Sequence, residues 1–134
     1  MANNVKWRTS VKMTSPTEGV VSIKAIVADG WHIYGTDLPK GGPKATAFDF
    51  STSTGVKFVG DFKPSVKPET KLDKLFDLKL SYWHGTVVFS RRFKVVNPKN
   101  ACISGKITYM ACNGTSCMPP KTESVKVTVP PFKK

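Results

Sequence analysis

Apolar residues recur at every second position through much of the chain. Val21, Ile23, Ala25 and Val27 share one face of a segment running from about Gly19 to Ala28. Val87, Phe89, Phe93 and Val95 do so within Thr86 to Val96, and Ile103, Ile107 and Tyr109 within Ala101 to Ala111. Val125, Val127 and Val129 repeat the pattern near the C-terminus. In an extended strand successive side chains point to opposite faces, so this period of two predicts half-buried strands. Shorter candidates are Trp31 and Ile33 after the Asp29-Gly30 turn signal, Ala47 to Phe50 after Lys40-Gly41-Gly42-Pro43, and Val56 to Phe62. About seven or eight strands, with turn signals roughly every 8–15 residues, predict an all-β antiparallel sandwich. Glu69 to Leu80 has a weak helical pattern, but it is short and follows Pro64 and Pro68, so a loop or single turn is expected. Lys63 to Leu80 is then the longest irregular connection, the kind of place where rigid sandwiches carry function.

The 134 residues suit one domain spanning 1–134. No apolar run approaches the roughly 18 residues that cross a bilayer, so no direct membrane insertion is expected. Met1 to Trp7 lack the apolar core of a signal peptide, which leaves a cytoplasmic protein or one read after removal of a leader. The net charge of +12 favours acidic partners, nucleic acid or anionic membrane. The lysines, however, are scattered and alternate with apolar residues, as at Lys24, Lys57, Lys94, Lys106 and Lys126. That is the pattern of a solvated sheet face, so no nucleic-acid partner is expected.

The chemistry gathers in Tyr109 to Lys121, "YMACNGTSCMPPK". Cys112 and Cys117 flank four residues that include Asn113-Gly114, with Pro119-Pro120 just behind. A structural disulfide here would close so short a loop that chain entropy returns only about 2 kcal/mol. Zinc wants four ligands, usually as two close pairs, and only Cys102, His32 and His84 remain to supply them. No metal or other cofactor is therefore expected. A redox couple needs an accessible thiolate and a second thiol near enough to resolve a mixed disulfide, and an Asn-Gly turn can bring the two sulfurs together. The spacing alone leaves the staple and the couple both open. Strand parity, carried to its end, puts Ile103, Ile107, Tyr109 and Ala111 inward and Cys112 on the polar, accessible side. Cys102 is the odd cysteine, expected to be a half-buried spectator near a strand start.

The segment "ACNGTSCMPPKTESVKV" resembles the active-site strand, loop and strand of the N-terminal domain of DsbD, the thiol:disulfide interchange protein. "DGWHIYGTDLPKGGP" resembles the family's early aromatic segment, and "KLDKLFDLKLSYWHGTVVFSRRF" its cap loop and following strand. Together they cover most of the chain in the family's order. The resemblance implies an immunoglobulin-like sandwich in the periplasm, with any leader or membrane portion outside this chain. It implies a relay that takes electrons from a thioredoxin-like donor and passes them to periplasmic oxidoreductases. Cys117 would form the mixed disulfide with thioredoxin-fold partners and Cys112 would resolve it. Phe76, or alternatively Leu75, would cap the sulfurs, and His32 and Tyr34 would flank them. Plainer roles exist for each: Phe76 as an anchor of the long loop, Tyr34 as sandwich core, His32 as a surface residue. His32 stands where the family has an aromatic hydroxyl, the loop between the cysteines is one residue shorter, and Asp73 and Asp77 match the cap's acidic residues only in part. The rival from another class is a non-enzymatic immunoglobulin-like binding or assembly domain braced by a structural disulfide.

Overall fold

The computed structural model describes residues 4–133. Its strands are β1 (Val5–Met13), β2 (Glu18–Val27), β3 (His32–Tyr34), β4 (Ala47–Asp49), β5 (Val56–Pro64), β6 (Glu69–Asp73), β7 (Leu78–Trp83), β8 (Thr86–Val95), β9 (Cys102–Tyr109), β10 (Ala111–Cys112) and β11 (Lys121–Thr128). Every pairing is antiparallel, in the orders β1-β2-β8-β5, β10-β3-β7-β6 and β11-β9-β4. Among the described residues there is no helix, and so none long and apolar enough to cross a membrane. The architecture is the antiparallel sandwich that the alternation predicts, of the immunoglobulin-like kind that the resemblance implies.

The inward faces meet in one core. Val21, Ile23, Phe89 and Phe93 come from the first sheet, Ile33 and Trp83 from the second, Ile103 and Ile107 from the third. All of these are less than 5% exposed, and burial of such side chains contributes about 1.5–3 kcal/mol each before entropy is set against it. Gly105 interrupts the inward row of β9 for a packing reason. A Cβ there would lie 2.5 Å from the Phe50 ring and 2.6 Å from the Asp49 carbonyl oxygen, so Phe50 fills the space that a side chain would need.

Two segments depart from the expected map. Val5–Met13 forms a full edge strand with Val5, Trp7, Thr9, Val11 and Met13 turned inward, an element absent from the expected strands. Glu69 to Leu80 is not a loop or helical turn but the β6–β7 hairpin, closed by residues 74–77. Asp77 takes a positive φ of 53° at that turn, a conformation that an aspartate tolerates better than most residues. The base of the hairpin is fastened: Trp83 Nε1 donates to the Val66 carbonyl at 2.8 Å, and His84 pairs with Glu69 at 2.6 Å.

Candidate redox site

Residues 112–118 form a miniature hairpin. The Asn113 amide donates to the Ser116 carbonyl and the Met118 amide to the Ala111 carbonyl, both at 2.9 Å. The bonds thus flank Cys112 and Cys117, making them a non-hydrogen-bonded cross-strand pair, the narrower kind. Their Cα atoms lie 4.0 Å apart and their sulfurs are joined in a disulfide. The turn is organised by Asn113, whose Oδ1 accepts from the amides of Thr115 at 3.0 Å and Ser116 at 2.8 Å. Gly114 supplies the positive φ of 93° that this tight reversal requires.

The second sheet is covered on both faces, and this overturns one expectation. Parity holds as far as Cys112, which points away from the main core while Ala111 points into it. The outer face is not solvent, however. Tyr34, Leu80 and Cys112 are buried there in a second cluster, with Phe76, Leu78, Tyr82, Met110 and Cys117 packed against them. Cys112 is 0% exposed, so the expectation of an accessible thiol at that position is wrong. Cys117 is half-buried and is the more exposed of the two residues.

Phe76 and Leu75 separate cleanly. The Phe76 ring meets the Tyr34 ring edge-on with centroids 6.1 Å apart, inside the cluster that holds the cysteines. Leu75 is 42% exposed and belongs to neither cluster. The turn that carries Phe76 is held by one carboxylate: Asp73 Oδ1 accepts from the amides of Leu75 at 2.9 Å and Phe76 at 3.3 Å. Asp73 Oδ2 accepts from the Tyr34 hydroxyl at 2.7 Å. The sequence singles out Asp73 only as a partial match to an acidic cap, and its link to Tyr34 is new.

His32 lies directly across the β3–β10 ladder from Cys112. Its Nε2 is 3.2 Å from the Tyr34 hydroxyl oxygen. That hydroxyl has a single proton, which goes to Asp73, so His32 Nε2 must be the donor and Nδ1 carries the lone pair of the neutral ring. Burial is the largest influence on His32 and lowers its pKa below 6.5; Asp73 pulls it back up, while Lys71 and His84 push it down. Burial, then the hydrogen bond and charge of Asp73, push the Tyr34 hydroxyl well above 10.0. His32, Asp73, Leu80, Tyr82 and Gly114 line a groove of about 350 Å³ that reaches the turn between the cysteines. Cys102 stands apart, half-buried at the first position of β9. Among the described residues no three His, Cys, Asp or Glu side chains gather as a metal site needs.

The family model for the N-terminal part of the thiol:disulfide interchange protein DsbD matches residues 3–129. Among curated protein sequences none matches this chain. The N-terminal periplasmic domain of ScsB from Proteus mirabilis superposes with a TM-score of 0.68 at 16% identity, covering 96% of this chain and 47% of that one. The chain thus spans about half of that structure's length. The reduced N-terminal domain of DsbD from Neisseria meningitidis gives a TM-score of 0.57 at 17% identity, covering 90% of this chain and 83% of that one. At such identities the structural likeness speaks to fold alone.

Proposed function

The chain belongs to the family of DsbD N-terminal domains, and from that premise we propose that it is a single domain that relays reducing equivalents in the periplasm through Cys112 and Cys117. The donor is a thioredoxin-like dithiol and the acceptors are periplasmic oxidoreductases of the thioredoxin fold. In loading, a partner thiolate attacks the Cys117 sulfur and the Cys112–Cys117 bond breaks. Cys112 leaves as a thiolate and takes a proton. The partner's second thiolate then attacks its own sulfur in the mixed disulfide, releasing Cys117. Two electrons and two protons have moved to the pair, and the partner leaves oxidised. Delivery reverses these steps: the Cys117 thiolate attacks the acceptor's disulfide, and Cys112 attacks Cys117 to free the reduced acceptor.

One observation carries the reading: of the two bonded cysteines, Cys112 is sealed and Cys117 is partly exposed. A visiting thiolate therefore has one sulfur to attack, and the sealed one is kept for resolution. Phe76 serves as the cap, with Tyr34, His32 and Asp73 holding its turn; Leu75 faces outward and takes no part.

Trapping tests the assignment. In Cys112→Ser, Cys117 has no resolving partner and should accumulate a stable mixed disulfide with a thioredoxin-fold protein. Cys117→Ser should accumulate none. The reverse pattern, or no adduct from either variant, defeats the reading. A bridge that only braces the fold should have a potential below about −300 mV, whereas a relay must lie above it to be loaded by a thioredoxin-like dithiol.

A further inference from the structure

The outer face of the first sheet carries charge that the redox site does not use. Alternation sends Lys6, Arg8, Ser10 and Lys12 outward on β1, all exposed. Arg8 lies directly opposite Lys24 on β2, and Lys57 on β5 directly opposite Lys94 on β8. Like charges in directly opposed positions destabilise a sheet. Glu18 offsets this at one corner, where it sits opposite Lys94 and approaches Arg92 at 3.9 Å. Asp61 lies in the irregular stretch of β5 between Val59 and Lys63. Among the described residues Arg8 and Lys24 have no such relief, because the residue on the other side of Lys24 is Val88. Repulsion retained where a neutral residue would serve stability better marks a surface shaped by another demand.

The gaps between the cations are aliphatic. Ile26 is 37% exposed and Val59 is 40% exposed, with Val20 and Val88 half-buried beside them. None of the outward positions of β1, β2 and β8 is aromatic, so the face offers no stacking platform for bases. Four strands at this spacing make a plane of about 15 by 30 Å. A broad plane of cations with aliphatic side chains between them is complementary to a layer of anionic headgroups over acyl chains. We propose that this face docks the domain on an anionic lipid surface. The main core lies between it and the second sheet, whose outer side holds Cys112, so a docked domain turns its disulfide away from the bilayer. The inference stands on the first sheet alone and does not depend on the relay.

Sedimentation of the oxidised domain with vesicles tests it. Vesicles of phosphatidylethanolamine with about 30% phosphatidylglycerol should bind the domain, phosphatidylcholine vesicles should not, and about 0.5 M salt should abolish binding. Arg8→Glu converts a repelling cross-strand pair into an attracting one. Its melting temperature should rise while its affinity for the anionic vesicles falls at least about fivefold. Lys57→Glu should weaken binding likewise. Lys126→Glu makes the same change of net charge on β11 of the third sheet and should bind within about twofold of the parent. No binding to anionic vesicles, an equal loss in Lys126→Glu, or tighter binding to duplex DNA than to vesicles at the same salt would each overturn the proposal.

Discussion

At the scale of single residues, the site turns on Asp73. Its two oxygens accept from the Tyr34 hydroxyl and from two amides of the turn that carries Phe76, so one side chain joins that turn to Tyr34. Removing a carboxylate from such a set costs about 1–3 kcal/mol. Asp73→Ala should therefore lower stability by that much and speed reduction of the disulfide by dithiothreitol, read as thiol release against time. Phe76→Ala should speed the same reduction by roughly tenfold, the equivalent of about 1.4 kcal/mol of lost cover, while Leu75→Ala should leave it unchanged. His32 adds a pH dependence whose sign is fixed. Its folded pKa lies below 6.5, so the unfolded chain binds the proton more readily. Its contribution is full above pH 6.5 and declines as pH falls toward the folded value. Melting temperature measured against pH should fall more steeply on the acid side of 6.5 in the parent than in His32→Gln. None of these roles can be read from composition. Leu75 and Phe76 are neighbours of similar hydrophobicity, and only the turn geometry sends one inward and the other out.

At the scale of elements, strands that bury one face deeply are legible, and strands whose faces are half-buried or exposed, such as β1 and β6, are not. β2, β8 and β9 bury alternate residues deeply, and their periodicity announces them. β6 is exposed along nearly its whole length, so Glu69 to Asp73 carries no alternation to read. Its partner β7 serves two clusters at once, Leu78, Leu80 and Tyr82 on one face and Trp83 on the other, which blurs the period of two. The same double cover explains Cys112: parity states its direction correctly, but parity is silent about what lies in that direction. Gly105 belongs to this scale too. Gly105→Ala must push Phe50 out of its place, and an overpacked core costs about 1–3 kcal/mol. Chemical denaturation should register that loss with little change in the denaturant slope.

At the scale of the whole molecule, two clusters divide the work. The main core draws on all three sheets and includes neither cysteine, whereas the smaller cluster holds Cys112 and Cys117. The disulfide spans a sequence separation of only 5 and sits outside that core. Replacing both cysteines by alanine should therefore preserve the β-rich circular dichroism spectrum and cost no more than about 2 kcal/mol from chain entropy. Charge behaves differently from fold at this scale. A run such as Val5 to Met13 states which residues leave the core together, but not which other strands lie alongside. Lysines that look scattered along the chain meet across ladders that only the topology reveals.

The hairpin that ends in Phe76 is pinned where it starts, by Trp83 to Val66 and His84 to Glu69, and secured at its tip by Asp73. With Phe76 as the proposed cap, uncovering the sulfurs calls for the swing of one short turn, and lid openings of this kind run in microseconds to seconds. Disulfide exchange takes seconds or longer. A gate that equilibrates faster than this chemistry makes turnover scale with the fraction of time it stands open.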